Sequence, residues 1–185
     1  MQVIPSPLEG VRVVVPSVKH DARGSFFEAW HAGHYKEAGL PSSWAQCNVS
    51  HSNRGVLRGL HLQHPLAQAK LVMVLAGKIF DVAVDVRRGS YSYGKWFATE
   101  LSGENGHQLF IPDGFAHGFL VLSGSADFLY KTTDYYHPEA DHCIRWDDPD
   151  LAIAWPLGGA TPVVAAKDAA GRGLADAPVY EYGGR

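Results

Sequence analysis

Three residues in the middle of the chain could together carry out proton-transfer chemistry. His61 has an imidazole, and the ordinary imidazole pKa of ~6.5 lets such a group act as a base at neutral pH. Lys70 supplies an ammonium that can stabilise an oxyanion, and Tyr130 supplies a phenol that can donate a proton. Around one cavity, these groups suit removal of a proton next to a carbonyl, stabilisation of the enolate and reprotonation from the opposite face. Such a reaction inverts a stereocentre without a cofactor.

Each of these residues also has a plainer interpretation. A histidine on a strand is more often a hydrogen-bonded core or surface residue, and a lysine beside an apolar run often blunts the edge of a sheet. A tyrosine on an apolar strand often fills the core and keeps its hydroxyl at the rim. The residue types alone therefore do not separate catalysis from a structural role.

Short β-rich stretches must position these side chains. Glycines recur every few to a dozen residues from Gly55 to Gly124, a spacing that favours an all-β sandwich or barrel. The predicted strands are 11–15, 25–30, 44–50, 71–75, 80–86, 96–101, 108–111, 118–122 and 126–132, with one helix at 32–38 in the first half. In strand 80–86, valines alternate with Asp81 and Asp85, which gives that strand an acidic second face. This pattern predicts a double-stranded jelly roll with a cavity at one end and a few short helices.

Composition limits the classes of protein that fit. The 185 residues make one domain, 1–185, which ends in an irregular Ala/Gly/Asp-rich segment at 161–185. A net charge of −3 and a pI near 6.3 argue against nucleic acid as a partner, and apolar runs such as 71–76 are too short to span a membrane. The N-terminal residues have no signal-peptide pattern, and two cysteines, Cys47 and Cys143, fit a reducing compartment. We expect a cytoplasmic protein without a membrane partner.

Two segments resemble the paired motifs of cupins. Residues 55–64 place His61, and residues 112–118 place His117, at the spacing of cupin histidines. Metal-binding cupins use a second histidine and a glutamate as further ligands, and here those positions hold Gln63 and Gln68. Amides are poor ligands for zinc or iron. The resemblance therefore predicts a cupin-like barrel with neither a metal nor another cofactor.

Taken together, the segments resemble the dTDP-4-dehydrorhamnose 3,5-epimerase family over nearly the whole chain. The matching segments are 21–28, 46–48, 55–61, 68–72, 77–85, 111–119, 128–133 and 144–149. The resemblance implies an isomerase that epimerises dTDP-4-dehydro-6-deoxy-D-glucose at C3 and C5 on the way to dTDP-L-rhamnose. By the resemblance, His61 is the base, Asp168 orients and polarises it, Lys70 stabilises the enolate at C4, and Tyr130 is the acid on the opposite sugar face.

The same resemblance assigns residues that bind the nucleotide sugar. Diphosphate contacts fall to Arg23 and Lys167, thymidine recognition to Glu28, Gln46, Cys47 and Asn48, the stack on thymine to Tyr136, and the sugar and phosphate region to His117 and Arg58. Asp141 stands where the family has Glu, Cys47 where it has Asp, and Leu62 where it has Tyr. We expect these three departures to tune affinity. The resemblance also implies a homodimer in which an N-terminal segment carrying Arg23 and Glu28 reaches the partner's pocket.

Four other functions compete with this interpretation. An epimerase acting at one carbon, or a keto-sugar isomerase that moves the carbonyl, would share the fold and His61. A metal-dependent cupin oxygenase is disfavoured by Gln63 and the missing glutamate. A non-catalytic sugar-binding module has no need for His61, Lys70 and Tyr130 together, although spacing alone does not exclude it.

Overall fold

Strands dominate the computed structural model, which describes residues 1–183. The strands are β1 (Gln2–Pro5), β2 (Arg12–Val15), β3 (Lys19–Asp21), β4 (Gly24–Phe26), β5 (Gln46–Asn53), β6 (Val56–Gln63), β7 (Lys70–Ala76), β8 (Lys78–Asp85), β9 (Arg87–Arg88), β10 (Trp96–Ser102), β11 (Gln108–Ile111), β12 (Phe115–Val121), β13 (Ser125–Thr132), β14 (Asp141–Cys143), β15 (Val163–Val164) and β16 (Tyr180–Glu181). The helices are α1 (Ala32–Glu37) and α2 (Ala166–Ala169), with 3₁₀ turns at Pro138–Ala140 and Leu174–Asp176. No helix within these residues is both long and apolar enough to cross a membrane.

Two main sheets face each other. We call the sheet with strand order β1-β2-β11-β7-β13-β5 the front sheet, and the sheet with order β10-β8-β12-β6-β14, to which β15 adds in parallel, the back sheet. From β5 to β8, and again from β10 to β13, consecutive strands alternate between the two sheets. This is the connectivity of a jelly roll, and it confirms the predicted all-β fold.

The back sheet is buried on both faces. Along β8, Ile79 and Ala83 point into the core between the two main sheets. Val82 and Val84 point the other way, into a second core formed with the C-terminal part of the chain, including Leu151 and Leu174. Successive side chains on a strand alternate between faces, so the valine face of β8 holds the C-terminal segment and its acidic face lies inside the barrel. The C-terminal segment is thereby fixed behind the strands that form the cavity.

The predicted strand at 25–30 ends early, since β4 stops at Phe26. The carbonyl of Ala29 accepts hydrogen bonds from Tyr35 Oη (3.0 Å) and Gln108 Nε2 (2.7 Å) instead of a neighbouring strand. The helix follows almost as predicted, with His31 Nδ1 accepting a bond from the His34 N–H at its start. Side chains from the next helix, α1, and from the distant strand β11 thus satisfy this backbone carbonyl, which strand-forming patterns in the sequence do not reveal.

Segment 161–183 contains β15, α2, the second 3₁₀ turn and β16. The predicted domain runs to residue 185, and its last two residues lie outside the described part of the chain. The helix α2 is the element of this segment that matters for the cavity, because it carries Lys167 and Asp168.

Candidate active site

A cavity of about 270 Å³ opens between the two main sheets. Strands β6 and β12 of the back sheet form one wall, and strands β5, β7 and β13 of the front sheet form the other. Its lining residues are Gln46, Asn48, Ser50, Arg58, His61, Leu62, Gln63, Gln68, Lys70, His117, Gly118, Phe119, Phe128, Tyr130, Thr132, Tyr136, Asp141 and Lys167. The cavity therefore gathers the predicted base, cation and phenol into one space.

His61 is held by a buried carboxylate. Its Nε2 lies 2.8 Å from Asp168 Oδ1, and the other carboxylate oxygen accepts the backbone N–H of Gly59 at 3.0 Å. Gly59 has φ +109°, and a Cβ there would lie 2.6 Å from the carbonyl oxygen of His117. The glycine thus allows β6 and β12 to approach closely and presents its N–H to Asp168.

The environment of Asp168 keeps its carboxylate ionised. Burial alone would raise the pKa of Asp168, but the hydrogen bond and charge of His61, the Gly59 N–H and nearby Lys167 together hold it below its ordinary value. An ionised carboxylate on Nε2 fixes the imidazole tautomer and stabilises the imidazolium that forms when the ring accepts a proton. Nδ1 is the ring nitrogen left for a reactant.

Lys70 lies on the front sheet, at the start of β7. Its side chain is buried, and this desolvation lowers its pKa to about 8, although the carboxylates of Asp141 and Asp81 favour the charged form. In the sheet Lys70 is opposite Thr132, and Tyr130 lies two residues before Thr132 in β13, on the same face. The ammonium and the phenol are therefore neighbours on one wall, while His61 is on the facing wall.

Tyr130 is half-buried and stays protonated over the neutral range. Burial raises its pKa and the charge of Asp141 adds to this effect, whereas Arg58 and Lys167 act in the opposite direction. Its ring packs against Phe128, with 5.6 Å between the ring centroids. A protonated phenol in this position can donate a proton into the cavity.

His117 has a carboxylate of its own. Its Nε2 lies 2.9 Å from Asp81 Oδ2 and 3.1 Å from Oδ1, and Asp81 is fully buried. The His117 ring stacks on Phe128 at 5.8 Å between centroids. The sequence marks Asp81 as an acid on an otherwise apolar strand, but not as a member of the site. Its position opposite the valine face of β8 was the available signal.

The two glutamines at cupin ligand positions hold a loop. Gln63 Nε2 donates to the carbonyls of Leu66 (3.0 Å) and Tyr135 (3.2 Å), while its Oε1 accepts the N–H of His137 (2.7 Å). Gln68 Nε2 donates to the carbonyls of Asp134 (2.8 Å) and Tyr135 (2.6 Å). These amides fix the loop 134–137 at the cavity.

The same loop places Tyr136 at the cavity mouth. Its backbone N–H donates to Gln46 Oε1 at 2.9 Å, and Gln46 Nε2 in turn donates to Asn48 Oδ1 at 2.9 Å. The Tyr136 hydroxyl donates to Asp141 Oδ2 at 3.0 Å, and Asp141 forms an ion pair with Lys167. The open end is thus lined by an exposed aromatic ring, two amides and a lysine. This arrangement is suited to a nucleobase and the phosphates attached to its sugar.

Comparison with known proteins decides the family. The family model described as dTDP-4-dehydrorhamnose 3,5-epimerase matches residues 5–176. The chain belongs to this family. A Pseudomonas aeruginosa protein named dTDP-4-dehydrorhamnose 3,5-epimerase is 53% identical over 166 residues, covering 89% of this chain and 91% of that relative.

Solved structures agree with the family assignment. A Legionella pneumophila dTDP-6-deoxy-D-glucose-3,5-epimerase, crystallised in complex with dTDP-4-keto-L-rhamnose, superposes with a TM-score of 0.95 at 46% identity, covering 99% of each chain. By sequence, a dTDP-4-dehydrorhamnose 3-epimerase from Streptomyces niveus is also similar, at 39% identity over 170 residues (91% of this chain, 81% of the relative). The sequence similarity therefore extends to a protein named for a single carbon.

Most of the predicted site residues of this family member line the cavity or support it. Those in the lining are Gln46, Asn48, Arg58, His61, Lys70, His117, Tyr130, Tyr136, Asp141 and Lys167, with Asp168 behind His61. Arg58 is oriented along the wall by a hydrogen bond from its Nε to Ser52 Oγ (3.0 Å). The apolar lining residues Phe119 and Phe128 were not predicted, because their pattern is that of ordinary core.

Three predicted binding residues lie outside this chain's cavity. Arg23 is exposed and paired with Asp21 at 2.6 Å, and Glu28 is paired with His34 at 2.7 Å. Cys47 is exposed and alternates with Gln46 and Asn48 along β5, so it faces away from the cavity. The cavity of this chain is therefore lined without Arg23, Glu28 and Cys47.

Proposed function

We propose that this chain epimerises dTDP-4-dehydro-6-deoxy-D-glucose at C3 and C5, giving dTDP-4-dehydro-L-rhamnose. The observation that carries the proposal is the placement of His61 on one wall of the cavity and of Tyr130 and Lys70 on the other. A base and an acid on opposite sides of a sugar ring are what inversion of a carbon requires. Family membership supports the identity of the substrate.

In the proposed reaction, His61 Nδ1 takes the proton from the carbon next to the C4 ketone. The electron pair of the C–H bond moves into the ketone, and the ammonium of Lys70 stabilises the enolate oxygen. Tyr130 then donates its phenolic proton to the other face of the carbon. Each inversion leaves a proton on His61 and removes one from Tyr130, so exchange with solvent restores both groups before the second carbon reacts.

The nucleotide would lie at the open end of the cavity. Tyr136 offers a ring for stacking on thymine, and Gln46 and Asn48 offer amides for its edge. Arg58 and Lys167 supply charge for the diphosphate, where a guanidinium can bind two oxygens at once. This division leaves the closed end, with His61, Lys70 and Tyr130, for the keto sugar.

We further propose a cytoplasmic homodimer that binds neither nucleic acid nor membranes. Its support is the two free cysteines and the exposure of apolar side chains on or beside the front sheet, including Phe26 (71% exposed) and Val49 (61%). In a dimer, Arg23 and Glu28 would contact the nucleotide in the partner subunit's cavity. Light scattering on the purified protein measures the oligomeric state, and a monomer at micromolar concentration would contradict this part of the proposal.

The decisive assay is turnover of the keto sugar in deuterated water. Deuterium at both C3 and C5 of the product supports double epimerisation, and label at one carbon favours the single-site alternative. A product whose carbonyl has moved, seen by NMR, would identify a keto-isomerase. His61→Ala should lose nearly all turnover while still binding dTDP, with His107→Ala, outside the cavity lining, as the matched control.

A further inference from the structure

Cys143 lies behind the pair formed by His61 and Asp168. On β14 it is the cross-strand partner of His61 on β6, and its Sγ lies 3.9 Å from the backbone oxygen of Asp168. One ligand atom from each of the three residues, an imidazole nitrogen, a thiol sulfur and a carboxylate oxygen, lies within 4.8 Å of the other two. The proposed reaction does not use the Cys143 thiol.

These are the ligand types that zinc-like ions prefer. Three protein ligands with a fourth position open to water is a common zinc arrangement, and its bond lengths set ligand separations of about 3.3 to 3.7 Å. To reach these separations, the 2.8 Å between His61 Nε2 and Asp168 Oδ1 must open slightly and the sulfur, now within 4.8 Å of both, must move inward. We propose that His61, Cys143 and Asp168 form an inhibitory site for a thiophilic divalent cation. The inhibitory part rests on the proposed function.

A second cavity gives an ion a way to the thiol. It has a volume of about 200 Å³, and its lining includes Cys143, Gly171 and Arg172, with Asp141 and Lys167 shared with the substrate cavity. The ion pair of Asp141 and Lys167 balances their charges, but Arg172 remains as a cation in the lining. Charge alone therefore does not attract a cation here. The site should select ions that bond strongly to sulfur and nitrogen over Mg²⁺ or Ca²⁺.

Occupation of this site would disable the base. The incoming ion displaces the thiol proton to solvent and takes the place of the proton between Nε2 and Asp168. The ring then carries its proton on Nδ1, the nitrogen that must accept a proton from the sugar. Asp168 Oδ2 keeps its bond from Gly59 N–H throughout. One ion thus converts His61 from a proton acceptor into a donor and stops epimerisation.

Cobalt(II) provides a probe that does not depend on activity, because a thiolate bound to Co²⁺ gives an intense near-ultraviolet charge-transfer band. Metal-free protein titrated with Co²⁺ should develop this band at one ion per chain, and Zn²⁺ should abolish it. Turnover should fall with the same midpoint and return on addition of EDTA, while millimolar Mg²⁺ has no effect. Co²⁺ on the exposed group Glu28, His31 and His34 gives no such band, since that group contains no sulfur.

Two serine variants separate this site from adventitious binding. Cys143→Ser should lose the band and need at least tenfold more Zn²⁺ for half-inhibition, each protein being compared with its own metal-free rate. Cys47→Ser, which removes the exposed cysteine, should keep the band. If Cys143→Ser does not fold, Cys143→Ala serves in its place.

The possible results distinguish the two proposals. The lack of a band in the wild type, or its persistence without Cys143, overturns the metal site. A stoichiometric band with undiminished turnover overturns the inhibitory role. Metal-free protein that does not turn over the keto sugar overturns the proposed function and leaves the cobalt titration as a valid test of the site.

Discussion

His61 and His117 are direct cross-strand partners on β6 and β12, and each is hydrogen-bonded to its own buried carboxylate. The partner of His117 is Asp81, on the adjacent strand β8. The partner of His61 is Asp168, which arrives from the C-terminal segment 107 residues later. Both rings are therefore held in fixed orientations on the same wall of the cavity, one by the sheet itself and the other by a segment packed behind it.

Replacement of Asp168 by Asn should leave His61 in place but deprive it of the negative charge that stabilises its imidazolium. We expect kcat for the keto sugar to fall by about a hundredfold or more, as for carboxylates that support a histidine base elsewhere. Binding of dTDP, measured by calorimetry, should change little because the Asp168 carboxylate is bonded to His61 and Gly59 and does not line the cavity. A kcat within threefold of the wild type would contradict the role assigned to this pair.

The buried ammonium of Lys70 sets an upper pH limit on activity. Desolvation lowers its pKa to about 8, so rising pH removes its proton and with it the cation that stabilises the enolate. The pH profile of kcat/KM should fall above about pH 8, by about tenfold per unit. The raised pKa of Tyr130 removes the phenol as an explanation of this limb. A profile that stays flat to pH 9.5 would show that the charge of Lys70 is not required.

The same residue should cost the protein stability. Because the folded state binds the Lys70 proton more weakly than the unfolded state, the charged lysine destabilises the fold at pH 7. Lys70→Met should raise the free energy of unfolding by about 1 to 3 kcal/mol and abolish turnover. Between pH 8 and the ordinary lysine pKa of 10.5, the folded wild type has lost this proton while the unfolded chain still holds it, so the wild type gains stability as pH rises. The difference in free energy of unfolding between wild type and Lys70→Met should therefore shrink. Urea unfolding at pH 7 and pH 10 measures both effects, and a less stable Lys70→Met at pH 7 would oppose this account.

Tyr130→Phe separates proton removal from proton return. The variant keeps His61 and Lys70, so exchange of sugar hydrogens with deuterated water should continue. Correct inversion at one or both carbons should fall by at least tenfold, because the opposite wall no longer donates a proton. NMR of the recovered sugar reads exchange and configuration together. Normal product formation would mean that another group, or water, is the acid.

Much of this site could be predicted because its strands are regular and its motifs are local. His61, Lys70, His117 and Tyr130 lie on strands whose alternation fixes their direction once the two sheets close. Asp168 was assigned by resemblance alone, since no periodicity of residues 161–185 links it to His61. The contacts that bring α2 behind β6 are long-range: β15 pairs with β6 just before the helix, and Leu174, after it, packs against the valine face of β8. Only the folded chain shows them.

The other gap between sequence and structure concerns the glutamines. The residue types of Gln63 and Gln68 argue against strong metal ligands, but they do not predict that the two amides hold the loop 134–137. That loop lies about seventy residues further along the chain, and an amide can bond to any carbonyl that tertiary structure brings near it. The role of such a residue is therefore set by its neighbours and not by its own segment.

Gln68→Met tests whether this loop positions the nucleotide. The substitution keeps the length of the side chain and removes both N–H bonds to the Asp134 and Tyr135 carbonyls, so Tyr136 should lose its fixed position at the cavity mouth. We expect KM for the dTDP sugar to rise by about fivefold to tenfold, which corresponds to a loss of about 1 kcal/mol in binding, with kcat within about twofold. Gln2→Met, on the exposed strand β1, is the matched control. A loss of kcat with KM unchanged would instead assign Gln68 to the chemical step, and an unchanged KM and kcat would show that the loop holds Tyr136 without it.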